Sequence, residues 1–338
     1  MTPSTMVGVA LVLAAGLMSG NCMLPSKFLR AWRWENMWAV FSLVSLVVLP
    51  WGLAFGLVHH LPEVYRSLPA SQFVVPLAFG MGWGIAQILF GISVDRLGLS
   101  LAYAIIIGMG AALGTLVPMI AASGSKLHRG TILAVAMGIL LMSVGIAFTA
   151  WAGRIRDNVH RKEGSTLSDK SYRVSIMLAV LCGFLAPMIN YSFAFGQQIA
   201  GRAMVLGNSG PMAAYAVWPI GLAGGFIPNA GYAVYLLYRR RSLPAFKQGY
   251  SDLLLSCAMA VLWMGAIAVY GMSASFLGAL GTSIGWGLFQ IFMILAANAS
   301  GLLTGEWKRA SGRAHLCLTS GMLLLIAATV FLTVANRS

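Results

Sequence analysis

Carboxylates are scarce in this chain. Only eight Asp and Glu stand among 338 residues, against 22 Lys and Arg. None of Glu35, Glu63, Asp95, Asp157, Glu163, Asp169, Asp252 and Glu306 falls in the middle of an apolar stretch. A cationic cargo held within a membrane needs a buried counter-charge, so export of cationic drugs is disfavoured. The four cysteines, Cys22, Cys182, Cys257 and Cys317, lie far apart in apolar segments, with neither a C-x-x-C spacing nor a metal-ligand set, and suit packing. The five histidines, His59, His60, His128, His160 and His315, fall in turns or at a helix edge without metal spacing. No nucleophile–base pair is recognisable, so the expectation is a protein with no catalytic residue, metal or cofactor.

Charge of either sign is rare as well. Charged residues make up 9% and hydrophobic ones 59%, unlike a soluble domain of this length. Ten nearly uncharged stretches of roughly 20 residues predict transmembrane helices near 6–24, 37–58, 73–93, 98–121, 131–152, 174–197, 212–236, 253–272, 279–303 and 315–335. Helices satisfy their own backbone hydrogen bonds, which hydrocarbon requires. The first stretch has no Lys or Arg before it, so it is a poor match to a cleaved signal peptide and is expected to remain in the mature protein.

Basic residues divide unevenly between alternate loops. One set, from Lys27, Arg30 and Arg33 through Arg239, Arg240 and Arg241 to Arg313, holds 17; the other, with both termini, holds 5. The positive-inside rule puts the first set in the cytoplasm and both termini in the periplasm. The net charge of +14 is thereby assigned to orientation and to anionic lipids at the cytoplasmic face, with no nucleic acid implied. The polar run 154–173 reads as a basic cytoplasmic linker between a five-helix half at 1–153 and another at 174–338. Five being odd, the second half crosses in the opposite sense, the topology of inverted-repeat transporters. Trp83, Phe90, Gly91, Ser93, Leu97 and Gly98 recur 180 positions later as Trp263, Tyr270, Gly271, Ser273, Leu277 and Gly278, which points to duplication. The run Gly91 to Gly98 imitates the G-x-x-x-D-R-x-G loop of major-facilitator transporters, but that fold divides six and six.

Glycines spaced four apart (Gly16 and Gly20, Gly80 and Gly84, Gly110 and Gly114, Gly221 and Gly225, Gly281 and Gly285) predict close helix contacts. Gln87, Asn190 and Gln290 fall near segment midpoints, with Trp83, Tyr191, Trp263 and Trp286 nearby. Each amide alone suits a bond to a neighbouring helix. Together, groups that both donate and accept, beside flat aromatic faces, suit a neutral polyhydroxylated ligand. Glu35, the best candidate for a titratable group, also suits a first-turn carboxylate favoured by the helix dipole or paired with Arg33 or Arg30.

Pro25, Lys27, Arg30 and Trp32, followed by Trp34-Glu35-Asn36-Met37-Trp38, then Leu49-Pro50-Trp51, Phe79-Gly80-Met81-Gly82-Trp83-Gly84-Ile85, Phe90-Gly91, Leu97-Gly98 and Gly114-Thr115-Leu116, form a connected set of motifs. Gly305-Glu306-Trp307-Lys308 and Gly312-Arg313 extend it near the other end. The chain resembles the L-rhamnose–proton symporter family of the drug/metabolite transporter superfamily. That resemblance implies an all-α membrane protein of ten transmembrane helices in two inverted five-helix repeats, importing a deoxy sugar together with protons across a bacterial inner membrane. The expected substrate-binding residues are Trp83, Gln87, Asn190, Tyr191, Trp263 and Gln290. Asn21 and Trp38 are expected on the cytoplasmic approach, and Glu35 as a proton or gate residue. Because no acid stands mid-membrane, an uncoupled facilitator or exchanger of another small neutral metabolite remains the alternative.

Overall fold

The computed structural model describes residues 3–123, 128–158 and 169–335. Its long helices are α1 (Pro3–Asn21), α2 (Trp34–Leu57), α3 (Ser71–Leu97), α4 (Leu99–Ser123), α5 (Arg129–Asn158) and α6 (Asp169–Leu185). Two short ones, α7 (Met188–Phe195) and α8 (Gln197–Val205), lead to α9 (Trp218–Arg239), α10 (Tyr250–Leu277), α11 (Gly281–Leu303) and α12 (Gly312–Ala335). Among the described residues there is no strand. Nine helical stretches there are long and apolar enough to cross a membrane, one of which, Tyr250–Leu303, runs for 54 residues. It bends at Gly278–Leu280, where α10 ends and α11 begins.

Several boundaries differ from the sequence expectation, each for an identifiable cause. The helices outrun the apolar windows: α3 ends at Leu97 rather than near 93, and α10 at Leu277 rather than near 272. Both stop at a glycine with positive φ, Gly98 at 80° and Gly278 at 77°, a conformation that side chains with a Cβ resist. These are the matched glycines of the internal repeat. The single helix expected at 174–197 is broken at residues 186–187, because Pro187 cannot donate to the carbonyl four residues back and its ring clashes with it. The helix expected from 212 starts at Trp218 instead, after two short turns over Gly210–Ala213 and Ala214–Ala216. Within α2 a π-turn at Val44–Val48 ends two residues before Pro50, where the ladder must absorb the missing N–H. The linker expected at 154–173 is shorter: α5 continues to residue 158 and α6 starts at 169. Residues 159–168, with Arg161, Lys162 and Glu163, lie outside the described residues, as do Lys126 and Arg337.

The most extensive interfaces join α5 to α12, α3 to α9, α1 to α10 and α1 to α11; further contacts join α3 to α6, α4 to α6, α2 to α10 and α4 to α11. Small residues make these approaches possible. A Cβ built on Gly80 would stand 1.8 Å from the Gly221 carbonyl oxygen, and one on Gly84 2.5 Å from that of Gly225. Two of the four-spaced glycine pairs thus meet each other across α3 and α9. Gly80→Ala should therefore cost the protein its folded, monodisperse form in detergent, whereas Gly91→Ala, with nothing within 4 Å, should not. Size-exclusion chromatography of the two variants checks this.

Candidate functional site

A cavity of about 340 Å³ lies between α1, α3, α4, α6, α10 and α11. Four residues anticipated from sequence line it: Trp83 and Gln87 from α3, Trp263 from α10 and Gln290 from α11. Trp83 and Trp263, the repeat-related tryptophans, stack with ring centroids 5.3 Å apart and planes at 19°. Gln87 lies one helical turn beyond Trp83 on the same face of α3. Gln290 is 6% exposed, and among the described residues neither Gln87 nor Gln290 has a hydrogen-bond partner for its side chain. A polar group left unpaired in such surroundings is costly unless something enters to satisfy it. The rest of the wall is largely apolar, with Ile106, Ile107, Ile189, Ile267 and Phe289 prominent.

The other anticipated residues are placed elsewhere. Asn190, fully buried, does not line the cavity. Its amide nitrogen donates to the carbonyls of Gly114 and Thr282, each at 2.9 Å, and its oxygen accepts from the Tyr270 hydroxyl. It ties α7 to α4, α10 and α11, with both of its N–H donors engaged. Tyr191 packs edge-on against Phe79 and Phe195. Trp38 gives its indole N–H to Asn229 Oδ1 at 3.1 Å and stacks on Trp34 and Phe41. Asn21 donates to the Leu17 carbonyl and accepts from the Ser300 hydroxyl, although its neighbours Gly20, Cys22 and Met23 do line the cavity.

Glu35 is fully buried at the end of the molecule that carries the basic loops. It pairs not with Arg33 or Arg30 but with Arg240, whose Nη1 donates to Oε2 at 2.9 Å. The Ser242 hydroxyl also stands against the Glu35 carboxyl, although Oε1 makes no hydrogen bond of good geometry among the described residues. The same turn is connected to the cavity by rings in contact: Trp34, Trp38, Phe41, Trp263 and Trp83 follow one another at 5.0, 5.0, 6.1 and 5.3 Å. Asp252 lies nearby with a different role, accepting from the backbone N–H groups of Arg30, Ala31 and Trp32 at 3.1, 2.7 and 2.8 Å.

Tyr103, Trp286, Phe289 and Met293 also line the cavity. Trp286 spends its N–H on the Gly110 carbonyl; Tyr103 has no partner for its hydroxyl among the described residues. A tyrosine inside the otherwise apolar stretch 98–121 is the sequence signal for it. Among the described residues no group of three His, Cys, Asp or Glu could hold a metal ion.

The family model for "L-rhamnose-proton symport protein" matches residues 1–336. Similar proteins include the L-rhamnose-proton symporter of Klebsiella pneumoniae (strain 342), 28% identical over 324 residues and 93% of each chain. That of Cronobacter sakazakii (strain ATCC BAA-894) is 28% identical over 328 residues, and that of Escherichia coli (strain 55989 / EAEC) 27% over 328, again with 93% of each chain covered.

Proposed function

The chain belongs to the L-rhamnose-proton symport protein family, and from that premise we propose that it imports L-rhamnose or a closely related monosaccharide with protons, by alternating access across a bacterial inner membrane. The observation that carries this reading is the central cavity: two carboxamides without partners among the described residues, beside a stacked tryptophan pair, within a largely apolar wall. At about 340 Å³ it falls in the range of small-molecule sites. Gln87 and Gln290 offer donors and acceptors to ring hydroxyls. The indoles and isoleucines suit the apolar face and the methyl group of a deoxy sugar.

We place ten crossings in two inverted halves, 1–153 and 174–338, with the basic ends cytoplasmic and both termini periplasmic. The contacts favour that symmetry. Exchanging α1 with α6, α2 with α9, α3 with α10, α4 with α11 and α5 with α12 turns the α3–α9 interface into α10–α2, α1–α10 into α6–α3 and α1–α11 into α6–α4, all of them present. It maps α5–α12 and α4–α11 onto themselves, and it exchanges Trp83 with its stacking partner Trp263 and the turn at Gly98 with that at Gly278.

Gln87→Ala tests the site. Removing one or two neutral hydrogen bonds worth ~0.5–1.5 kcal/mol each should weaken sugar binding by roughly tenfold, read as the concentration of L-rhamnose that protects purified protein from thermal aggregation. Unchanged affinity would take Gln87 out of the site. For the function itself, sugar added to proteoliposomes should carry protons inward. Uptake of labelled L-rhamnose with no accompanying pH change would exclude symport.

A further inference from the structure

A second cavity of about 210 Å³ opens beside the first. Tyr103 and Ala297 line both, so the tyrosine ring forms part of the wall between them. The second cavity lies between the start of α4, the end of α5 and the end of α11, toward the basic end of the molecule. Its lining is of a different kind. Where the central cavity offers amides in an apolar wall, this one offers Glu306, Arg156, Asn298, Thr149 and Ser100 beside Trp307.

The charges there cancel locally. Glu306 accepts from Lys27 and, at 3.4 Å, from Arg156, which also bonds Asp157 at 2.9 Å. Two cations and two carboxylates leave no net charge to select an ion. Trp307 is almost wholly buried, with the Arg156 guanidinium 4.8 Å above its ring. Asn298 donates to the Ile294 carbonyl at 2.9 Å, and its amide oxygen has no partner among the described residues. A carboxylate that accepts, a guanidinium that donates and an amide oxygen left open suit a neutral polyol, whose hydroxyls both give and take hydrogen bonds.

We propose that this second cavity is a release subsite for the sugar, occupied after the central cavity and before the cytoplasm; it rests on the transport reading above. A sugar leaving Gln87 and Gln290 must exchange its hydrogen bonds for others. A polar station next to the central cavity supplies replacements before bulk water is reached, and so lowers the barrier to exit. Glu306 and Asn298 hold the sugar there, and Tyr103 is the partition it passes.

Asn298→Leu and Glu306→Gln, each in proteoliposomes, test this. Both should bind labelled L-rhamnose in detergent within about twofold of wild type. Sugar counterflow should slow about tenfold, the equivalent of one or two lost hydrogen bonds. Asn298→Leu leaves the Lys27, Glu306 and Arg156 cluster untouched, so it carries the measurement if Glu306→Gln does not fold. Wild-type counterflow in Asn298→Leu would overturn the proposal. So would recovery of wild-type counterflow in the exchanged pair Lys27→Glu with Glu306→Lys, because only the ion pair would then matter. Failure of wild-type protein to bind the sugar at all would instead count against the transport reading.

Discussion

Glu35→Gln should abolish concentrative uptake of L-rhamnose while equilibrium exchange continues near the wild-type rate. A potential of 100 mV contributes ~2.3 kcal/mol per co-transported charge, or roughly 50-fold accumulation; the variant should reach about onefold. Among the described residues two carboxylates are fully buried at the basic end, and they differ in how their oxygens are used. Asp252 is consumed by three backbone N–H groups of the Arg30 turn and serves the fold. Glu35 binds Arg240 through one oxygen and has the Ser242 hydroxyl beside its carboxyl, so its charge is held by side chains and can be neutralised without breaking the backbone of the turn. Neutralising the carboxyl would release Arg240 at the end of α9 and free α2 from it. The ring sequence from Trp34 to Trp83 joins that event physically to the central cavity. Glutamine keeps the shape and loses the titration, so coupling should fail without loss of the pathway. Labelled uptake under an imposed potential, set beside counterflow, separates the two. Concentrative uptake at the wild-type level would remove Glu35 from coupling; loss of both activities would make its ion pair structural.

What the sequence made legible was whatever local pattern determines. Apolar runs gave the helices, and four-spaced glycines marked close contacts, although not that Gly80 and Gly84 would meet Gly221 and Gly225; the matched residues Trp83 and Trp263, 180 positions apart, stack on each other. Long-range pairing was not legible. Glu35 finds its cation 205 positions away rather than two or five, and nothing near Glu35 in the chain announces Arg240. Nor could position alone sort the amides at the middles of apolar segments. Gln87, Asn190 and Gln290 look alike in sequence, because an amide's role depends on whether a carbonyl from another helix stands opposite. Only Asn190 meets such carbonyls, at Gly114 and Thr282. The helix ends were misjudged for a related reason: hydropathy marks where hydrocarbon would end, whereas α3 and α10 end where Gly98 and Gly278 reverse the backbone.

That division of labour between the amides predicts opposite outcomes for two similar substitutions. Asn190→Leu should destabilise the folded transporter whether or not sugar is present. It removes three hydrogen bonds that join α7 to α4, α10 and α11. Such bonds within a membrane protein average ~0.6 kcal/mol and reach ~1.7, so the loss is about 2–5 kcal/mol. The Tyr270 hydroxyl can still donate to the Thr282 carbonyl at 3.2 Å, but the Gly114 carbonyl loses its Asn190 donor. Gln87→Ala removes no side-chain hydrogen bond to any of the described residues, so the melting temperature without ligand should stay near wild type. The stabilisation that sugar confers, which grows as RT ln(1 + [L]/Kd), should shrink. Melting curves of both variants with and without L-rhamnose read all four outcomes at once. If Asn190→Leu melted normally and lost its response to sugar, Asn190 would belong in the binding site and the assignment of Gln87 and Gln290 to the sugar would have to be redrawn.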